Sequence, residues 1–249
     1  MKKGLNCRMS KNIGIDLGTS NVIVYAKGKG IVLREPSVVA AETRGGKVVA
    51  VGNEAKMMLG KTPGSIKAVH PLKDGVIAEF DFAAKMLRDM FSRVSGNALF
   101  SRPKVMISIP YGVTEVEKRA VEDVTLEAGA QSVALIEEPF AAAIGAGLRV
   151  EDARGSMIID IGGGTTEVAV IGLGGIVLSN SIKIAGDTFD ESIAAYIKNN
   201  FHVLIGDVTA EELKKNLGSA LEATDRGAME IRGRNLQNGL PAILTVNSA

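Results

Sequence analysis

The sequence predicts an α/β protein in which one structural unit occurs twice, and two observations support this prediction. First, residues 13–33 and residues 158–178 follow one plan: an apolar strand ends in Asp, a turn rich in Gly and Thr follows, and an alternating apolar strand leads to Gly-Ile-Val-Leu. Second, strand and helix patterns alternate through the intervening chain, which is typical of sheets with parallel strands. The 249 residues suffice to bury a sizeable core, as one large domain or two small ones.

The composition excludes several classes of protein. Hydrophobic residues make up 46% and charged residues 23%, as in ordinary globular proteins. A net charge of +1 and an aromatic content of 4% give no reason to expect a nucleic-acid partner. The single Cys7 excludes an internal disulfide. No apolar stretch approaches the ~18 residues of a membrane span, and no signal-peptide core follows Lys2 and Lys3, so the sequence predicts a cytoplasmic protein.

The elements between the two repeats can be predicted in order. Residues 34–71 indicate a small insertion that contains a strand at 47–52 and a short helix at 53–59. Residues 79–94 are predicted to be helical because their large apolar residues share one face, namely Phe82, Met86, Met90, Phe91 and Val94.

Strands at 104–110, 132–137 and 157–161 are separated by two predicted helices. Thr114, followed by Glu117, is predicted to cap the first helix, and Pro139 suits the first turn of the second. This alternation predicts parallel strands joined by right-handed crossovers.

After the second repeat, the sequence predicts two helices and a hairpin. Asp187 is the predicted cap of the first helix, whose buried face comprises Phe189, Ile193, Tyr196 and Ile197. Thr209, with Glu212 three residues later, is the predicted cap of the second. Residues 228–247 indicate a β-hairpin around Asn238-Gly239.

The two Asp-ended hairpins predict a site for a polyphosphate and its metal ion. Glycine allows backbone N–H groups to approach phosphate oxygens closely, and threonine adds a hydroxyl donor. Asp16 and Asp160 would repel phosphate, so we expect them to hold Mg²⁺, through water because this ion is dehydrated reluctantly. The alternative for the first hairpin alone is a tight turn with an Asp cap. The chain has neither a P-loop nor a dinucleotide fingerprint.

A third candidate lies at the end of a predicted central strand, in Glu137-Glu138-Pro139. A carboxylate at this place could orient the water that attacks a γ-phosphate. The alternative is a charged residue that caps the following helix, and this alternative is stronger for Glu137 than for Glu138.

These three elements, in this order, resemble the phosphate-1, connect and phosphate-2 motifs of the actin–Hsp70–sugar kinase superfamily. Longer segments resemble the MreB family of bacterial actins. These segments include DLGTSN, PLKDGVIAEF, IEEPFAAAIGAGL, DIGGGTTEVAVI, TAEELKKNLGSA and EIRGRNLQNGLP, and the resemblance covers residues 12–249. The resemblance implies an actin-like ATPase fold, with duplicated ribonuclease H-like subdomains around a nucleotide cleft. It divides the chain into a first large subdomain (1–33 and 72–149), a small insertion (34–71), a second large subdomain (150–186) and a second small one (187–249).

The resemblance also implies roles for individual residues. The phosphate cradle would comprise Gly18, Thr19, Ser20, Asn21, Gly162, Gly163, Gly164 and Thr165. Asp16 and Asp160 would face Mg²⁺, and Glu138 and Thr166 would position the attacking water. Glu211 and Lys214 would contact the ribose and base of ATP, although their spacing alone also suits a surface pair on a helix. Ser20 stands where the family more often has Ala.

Membrane contact is a further implication of the family. In the segment 96–103, Leu99 and Phe100 could enter the acyl boundary while Arg93, Arg102 and Lys104 meet anionic headgroups. The alternative is that both apolar side chains pack under their own loop.

The resemblance implies a cytoskeletal protein that assembles with itself into filaments and hydrolyses ATP weakly with Mg²⁺. It also implies that the filaments lie at the inner face of the cytoplasmic membrane and work with cell-wall elongation proteins to maintain rod shape. Family members continue beyond residue 249, so we expect the second large subdomain to be incomplete. The alternatives are the ATPase domain of an Hsp70-type chaperone, a sugar or acid kinase, and an inactive fragment.

Overall fold

The computed structural model describes residues 12–60, 62–95, 102–221 and 226–248, and Cys7, Leu99 and Phe100 lie outside these ranges. The described residues form two compact units, which divide between Lys183 and Ile184, and each is described by itself. In the first unit the strands are β1 (Asn12–Leu17), β2 (Asn21–Ala26), β3 (Gly30–Pro36), β4 (Val39–Glu42), β5 (Val48–Val51), β6 (Ile66–Val69), β7 (Leu72–Lys73), β8 (Val76–Ile77), β9 (Lys104–Ile109), β10 (Ser132–Glu137), β11 (Ser156–Ile161), β12 (Thr166–Gly172) and β13 (Gly175–Ile182). Its helices are α1 (Asn53–Met58), α2 (Phe80–Ser95), α3 (Glu115–Glu127) and α4 (Glu138–Gly145).

A five-stranded sheet, in the order β10-β9-β1-β2-β3, carries the first repeat. Strands β10, β9 and β1 pair in parallel, whereas β1, β2 and β3 form antiparallel hairpins. Its core packs against α2 and α3. Of the five apolar residues predicted for one face of α2, Val94 packs against this core and the other four are buried in it. The predicted cap of α3 is confirmed: the Thr114 side chain accepts from the Glu117 N–H, and the Glu117 side chain accepts from the Thr114 N–H.

Residues 34–71 form a small layer of their own for most of their length. Strands β5, β4 and β6 make an antiparallel sheet, which packs on α1 around Val38, Ala40 and Ala55. Strands β7 and β8 then form a two-stranded hairpin with Asp74 and Gly75 at its turn. Both turn residues have positive φ, 52° at Asp74 and 78° at Gly75.

The second repeat forms the antiparallel sheet β11-β12-β13, which packs on α4 through Ala143, Ala169 and Ile171. The prediction of parallel strands through 104–110, 132–137 and 157–161 is therefore confirmed for the first two and wrong for the third. Parallel pairing joins only β1, β9 and β10, and β11 starts a separate sheet because its partner is the antiparallel hairpin strand β12.

The second unit consists of α5 (Gly186–Phe201), β14 (Val203–Leu204), α6 (Asp207–Leu217), β15 (Ala228–Asn235) and β16 (Pro241–Asn247). The predicted hairpin around Asn238-Gly239 is confirmed as β15 and β16, which pair antiparallel, and β14 pairs with β15. Helices α5 and α6 pack with this sheet around Ile197, Leu213 and Ile231.

Two predicted helix caps are wrong. Helix α5 begins after Ala185 and α6 begins after Gly206, and neither of these cap residues makes a side-chain capping bond. Asp187 and Thr209 instead lie inside the first turns, where the Asp187 carboxylate faces the positive end of the helix dipole.

The predicted buried face of α5 is partly wrong. Ile197 is buried and Ile193 packs beside it, but Phe189 is 45% exposed and Tyr196 is 58% exposed. The face that meets the core is displaced toward Ala194, so the two aromatic residues lie at its margin, and the Tyr196 ring packs edge-on against Phe201.

In the part of the chain that the structure describes, no helix is both long enough and apolar enough to cross a bilayer.

Candidate functional site

The two repeats contain equivalent backbone turns directly after their Asp-ended strands. In the first, the Gly18 N–H donates to the Asn21 carbonyl at 3.1 Å. In the second, the Gly162 N–H donates to the Thr165 carbonyl at 2.9 Å. A β-carbon added at Gly18 would lie 2.8 Å from the Asn21 carbonyl oxygen, and one added at Gly162 would lie 3.3 Å from that of Thr165. The sequence repeat is therefore a repeat of local structure.

The first turn is supported by Ser37, which sequence reasoning did not single out. Its hydroxyl donates to the Gly18 carbonyl at 2.6 Å, and its N–H donates to the Ser20 carbonyl at 3.0 Å. Ser37 has no exposed surface. Ser37 therefore ties the turn to the segment that follows β3.

The two turns touch each other. A β-carbon at Gly164 would lie 2.7 Å from Thr19 Oγ1, 3.0 Å from the Asp74 α-carbon and 3.1 Å from the Asp74 nitrogen. The Gly75 N–H donates to Thr19 Oγ1 at 2.8 Å. Thr19 and Thr165 are both buried. The Asp74–Gly75 turn therefore joins the two hairpins, and a residue without a side chain is required at position 164.

The strand-ending carboxylates Asp16 and Asp160 lie within electrostatic range of each other. The pKa of Asp16 is raised, first because surrounding protein atoms displace water and also because Asp160 repels its charge. Ser108 opposes this rise by donating from its hydroxyl to Asp16 Oδ1 at 3.1 Å. Partial loss of water also raises the pKa of Asp160. Burial and mutual repulsion raise the free energy of both ionised carboxylates, and a bound cation would lower it.

Glu138, the first residue of α4, belongs to the same group of carboxylates. Its pKa is raised to about 8, first by burial and then by the charges of Asp16, Glu167 and Asp160. Pro139 follows within the first turn, as predicted, and Glu137 is the residue that precedes the helix. A carboxyl group with a pKa near neutrality can both accept and donate a proton, as a general base or acid requires.

Glu167 completes this group, and sequence reasoning missed it. The residue is 1% exposed. One carboxylate oxygen accepts from the Tyr111 N–H at 2.8 Å, while the buried Oε2 has no hydrogen-bond partner. Burial raises the pKa of Glu167. A signal was present in the sequence, because Glu167 alternates with Ala169 and Ile171, which share the buried face of β12.

A magnesium ion suits this donor set when it is held through its own water molecules. Among the described residues, no three His, Cys, Asp or Glu side chains are grouped as direct metal ligands. The paired carboxylates and the unsatisfied Glu167 oxygen nevertheless give a negative field beside the two turns. Thr166 starts β12, where it pairs with Ile161 and is half-buried.

In the second unit, Lys214 and Glu211 lie on α6 and make different contacts. Lys214 Nζ donates to Asp190 Oδ2 at 2.8 Å and to the Gly186 carbonyl at 2.7 Å. Glu211 Oε1 accepts from Lys215 Nζ at 2.5 Å. Lys214 is therefore paired with Asp190 of α5, and Glu211 with Lys215 of its own helix.

Of the three cations predicted to surround the membrane loop, Arg93 is engaged elsewhere. Its guanidinium group lies 3.0 Å from Glu35 Oε1 and 2.9 Å from Asp89 Oδ2. The other Glu35 oxygen accepts from the Asn53 N–H, at the start of α1, at 2.7 Å. Arg93 therefore links α2 to the small insertion, which leaves Arg102 and Lys104 as the cations of that prediction.

Comparison with known proteins identifies the family. Residues 10–249 match the family described as MreB/Mbl protein. The chain belongs to the MreB/Mbl family. It is 51% identical to the cell shape-determining protein MreB of Escherichia coli, over all of this chain and 73% of that protein. It is 48% identical to the cell shape-determining protein Mbl of Bacillus subtilis, over 96% of this chain and 72% of that protein.

Solved structures confirm the actin-like fold. The crystal structure of MreB5 of Spiroplasma citri bound to ADP is similar with a TM-score of 0.89 and 42% identity, over 96% of this chain and 72% of that chain. The same MreB5 bound to AMPPNP gives a TM-score of 0.90. Membership of the MreB/Mbl family confirms the prediction made from the motifs and disfavours the chaperone and kinase alternatives.

Proposed function

We propose that this chain binds ATP with Mg²⁺ and assembles with itself into actin-like filaments that maintain cell shape. The observation that carries the proposal is the contact between Gly164 and Thr19, which brings two equivalent turns together beside four carboxylates. Its relatives MreB and Mbl are named for cell shape determination, and its MreB5 neighbours hold ADP or AMPPNP.

The proposed phosphate contacts come from the middle of each turn. The Gly18 and Gly162 N–H groups are already used inside the turns, so these residues serve mainly to allow tight backbone geometry. Thr19, Ser20, Asn21, Gly163, Gly164 and Thr165 would supply the groups that surround the phosphates. The Thr19 hydroxyl accepts from Gly75, and its own proton can be donated to a phosphate oxygen.

Asp16 and Asp160 would hold hydrated Mg²⁺, which neutralises the charge of the phosphates when it is bound. Their raised pKa values support this role, since the ion relieves the cost of two neighbouring carboxylate charges. Glu138 and Thr166 would orient the attacking water. The pKa of Glu138, about 8, suits a group that accepts a proton from water as the bond to the γ-phosphate forms.

The family resemblance supports three further parts of the proposal. The chain would consist of two large and two small subdomains. Glu211 and Lys214 would contact the nucleoside, and the filament would work with cell-wall elongation proteins. Peripheral attachment at the inner face of the cytoplasmic membrane through Leu99 and Phe100 also follows from this resemblance.

One experiment tests the central proposal. The chain is incubated with Mg-ATP, and phosphate release and sedimentation are measured on the same sample. We expect pelleting that depends on ATP, with slow phosphate release, and loss of both in Asp160→Ala. Phosphate release stimulated by unfolded peptide, without pelleting, would instead support a chaperone ATPase. Absence of both activities, beside an active homologue, would indicate an inactive fragment.

A further inference from the structure

Ser37 makes two hydrogen bonds to the first turn, and they differ in kind. Its N–H donates to the Ser20 carbonyl at 3.0 Å, which continues the ladder between β2 and β3 one step beyond the pair Asn21 and Pro36. Its hydroxyl donates to the Gly18 carbonyl at 2.6 Å, and this bond lies outside the ladder. A hydroxyl has a single proton, so the bond uses the only donor of the side chain. Because Ser37 has no exposed surface, bulk water does not compete for this proton.

These two bonds fix the direction of two peptide N–H groups. A trans peptide unit is planar, so its N–H points to the side opposite its C=O, and both units are trans. The Gly18 carbonyl shares a peptide unit with the Thr19 N–H. In the same way, the Ser20 carbonyl shares one with the Asn21 N–H. Because both carbonyls face Ser37, both N–H groups point away from it. Successive N–H groups in a turn are the donors with which a backbone binds phosphate.

The second repeat forms the equivalent turn without such a side chain. The carbonyl that closes the turn belongs to Asn21 in the first repeat and to Thr165 in the second. Counted from these residues along the paired strands, the position of Ser37 is taken in the second repeat by Ile184, whose side chain has no donor. A turn of this kind therefore closes without a hydroxyl, which indicates a role for the Ser37 hydroxyl other than closing the turn.

We infer that Ser37 is a positioning residue for the phosphates of the bound nucleotide, because its hydroxyl holds the Gly18–Thr19 peptide unit with the Thr19 N–H directed at the ligand. This inference rests on the proposed function, since it assumes that ATP binds at the two turns. Ser37 acts through the Thr19 N–H and not by contact with the ligand. It stands two residues before β4, so it also links the phosphate turn to the small insertion.

Removal of the hydroxyl should be felt at Thr19. In Ser37→Ala the Gly18 carbonyl loses its partner, and the peptide unit is free to rotate toward another donor. The ladder bond from the N–H of residue 37 to Ser20 remains, so the direction of the Asn21 N–H is kept. The effect of the substitution is therefore confined to one of the two N–H groups.

The test titrates the full chain, labelled with ¹⁵N-threonine, with Mg-ATP and measures both the affinity and the amide resonance of Thr19. We expect a large shift of this resonance on binding to the unmodified chain. In Ser37→Ala, the shift at saturation should be clearly smaller, and the affinity for Mg-ATP should fall about fivefold, the order of effect of one lost hydrogen bond.

Thr125→Val is the matched control. Thr125 also has no exposed surface, and its hydroxyl donates to the Val121 carbonyl at 2.6 Å, within α3. Valine keeps the shape of the side chain and removes this bond. The variant should keep the affinity for Mg-ATP within about twofold and the full shift of Thr19.

Ser37→Cys provides a graded variant. Its side chain is similar in shape but carries a weaker donor, so its affinity and its Thr19 shift should lie between those of the unmodified chain and Ser37→Ala. The same two measurements on Ser37→Cys decide the matter if Ser37→Ala does not fold.

Several results would overturn the inference. Unchanged affinity and an unchanged Thr19 shift in Ser37→Ala would show that the hydroxyl does not position the turn. An equal loss in Thr125→Val would show that any lost buried hydrogen bond has the same effect. If the unmodified chain binds Mg-ATP without a shift of Thr19, the inference is wrong but ATP binding stands, whereas failure to bind Mg-ATP would refute the proposed function itself.

Discussion

Replacement of Gly164 by Ala is the sharpest perturbation of the contact between the two hairpins. The added β-carbon would lie 2.7 Å from Thr19 Oγ1 and 3.0 Å from the α-carbon of Asp74. The Asp74 atom belongs to the backbone of a turn with positive φ, so it cannot move as the end of a flexible side chain does. The hairpins must therefore separate by several tenths of an ångström.

The expected magnitude follows from overpacking of a well-packed site, which costs about 1–3 kcal/mol. For a chain of this size, this cost corresponds to a decrease in Tm of roughly 2–12 °C. The affinity for ATP should also fall, because Thr19 and Gly164 belong to the proposed phosphate cradle. We expect a loss of about tenfold, which corresponds to about 1.4 kcal/mol.

The assay is a thermal melt followed by circular dichroism, together with titration of Mg-ATP. Gly175→Ala is the matched control: Gly175 starts β13, beside the opposite end of β12, where an added β-carbon has nothing within 4 Å. It should keep both Tm and affinity. If Gly164→Ala melts within about 1 °C of the unmodified chain and binds ATP equally well, the predicted overpacking does not occur and the reasoning is wrong.

Three further predictions concern other parts of the chain. Burial raises the pKa of Glu138 from 4.5 to about 8, so the folded chain binds more protons than the unfolded chain between these values, and its stability falls as the pH rises through that window. Glu138→Gln should therefore melt with a weaker dependence on pH between about pH 5 and pH 8, and equal dependence in both chains would contradict the raised pKa. Thr114→Ala removes the capping box of α3 and should lower the free energy of unfolding by about 1 kcal/mol in urea, whereas an unchanged midpoint would mean that the cap contributes nothing. Replacement of Leu99 and Phe100 by Ser should weaken co-sedimentation with anionic liposomes without changing Tm, and undiminished co-sedimentation would refute the membrane prediction.

Much of the fold could be predicted because its signals are local. The heptad-like spacing of α2, the capping box at Thr114 and the Asn238-Gly239 turn each depend on residues fewer than twenty positions apart. The caps at Asp187 and Thr209 were predicted wrongly because a polar residue in the first turn of a helix resembles one just before it.

The site was predictable only in part, since its supports come from distant positions. Asp16 and Asp160 can be recognised from the sequence because they end apolar strands. Their surroundings cannot, since Ser108 is 92 positions from Asp16 and Gly75 is 56 positions from Thr19. Such contacts depend on strand order and register, which the local pattern does not specify. Glu167 is the exception, because a charged residue at a buried position of an alternating strand can be recognised from the sequence. Its membership of the carboxylate group follows only from the structure, in which its charge acts on Glu138.

The proposed nucleotide site is tested most directly by the binding of Mg-ATP to the unmodified chain and to Asp160→Ala. We expect saturable binding to one site, displaced by ADP and weakened when EDTA removes the metal ion. We also expect Asp160→Ala to lose the dependence on metal, because Asp160 would hold the hydrated ion. No binding to the unmodified chain, or binding that neither EDTA nor Asp160→Ala affects, would contradict the claim that the paired hairpins form a nucleotide site.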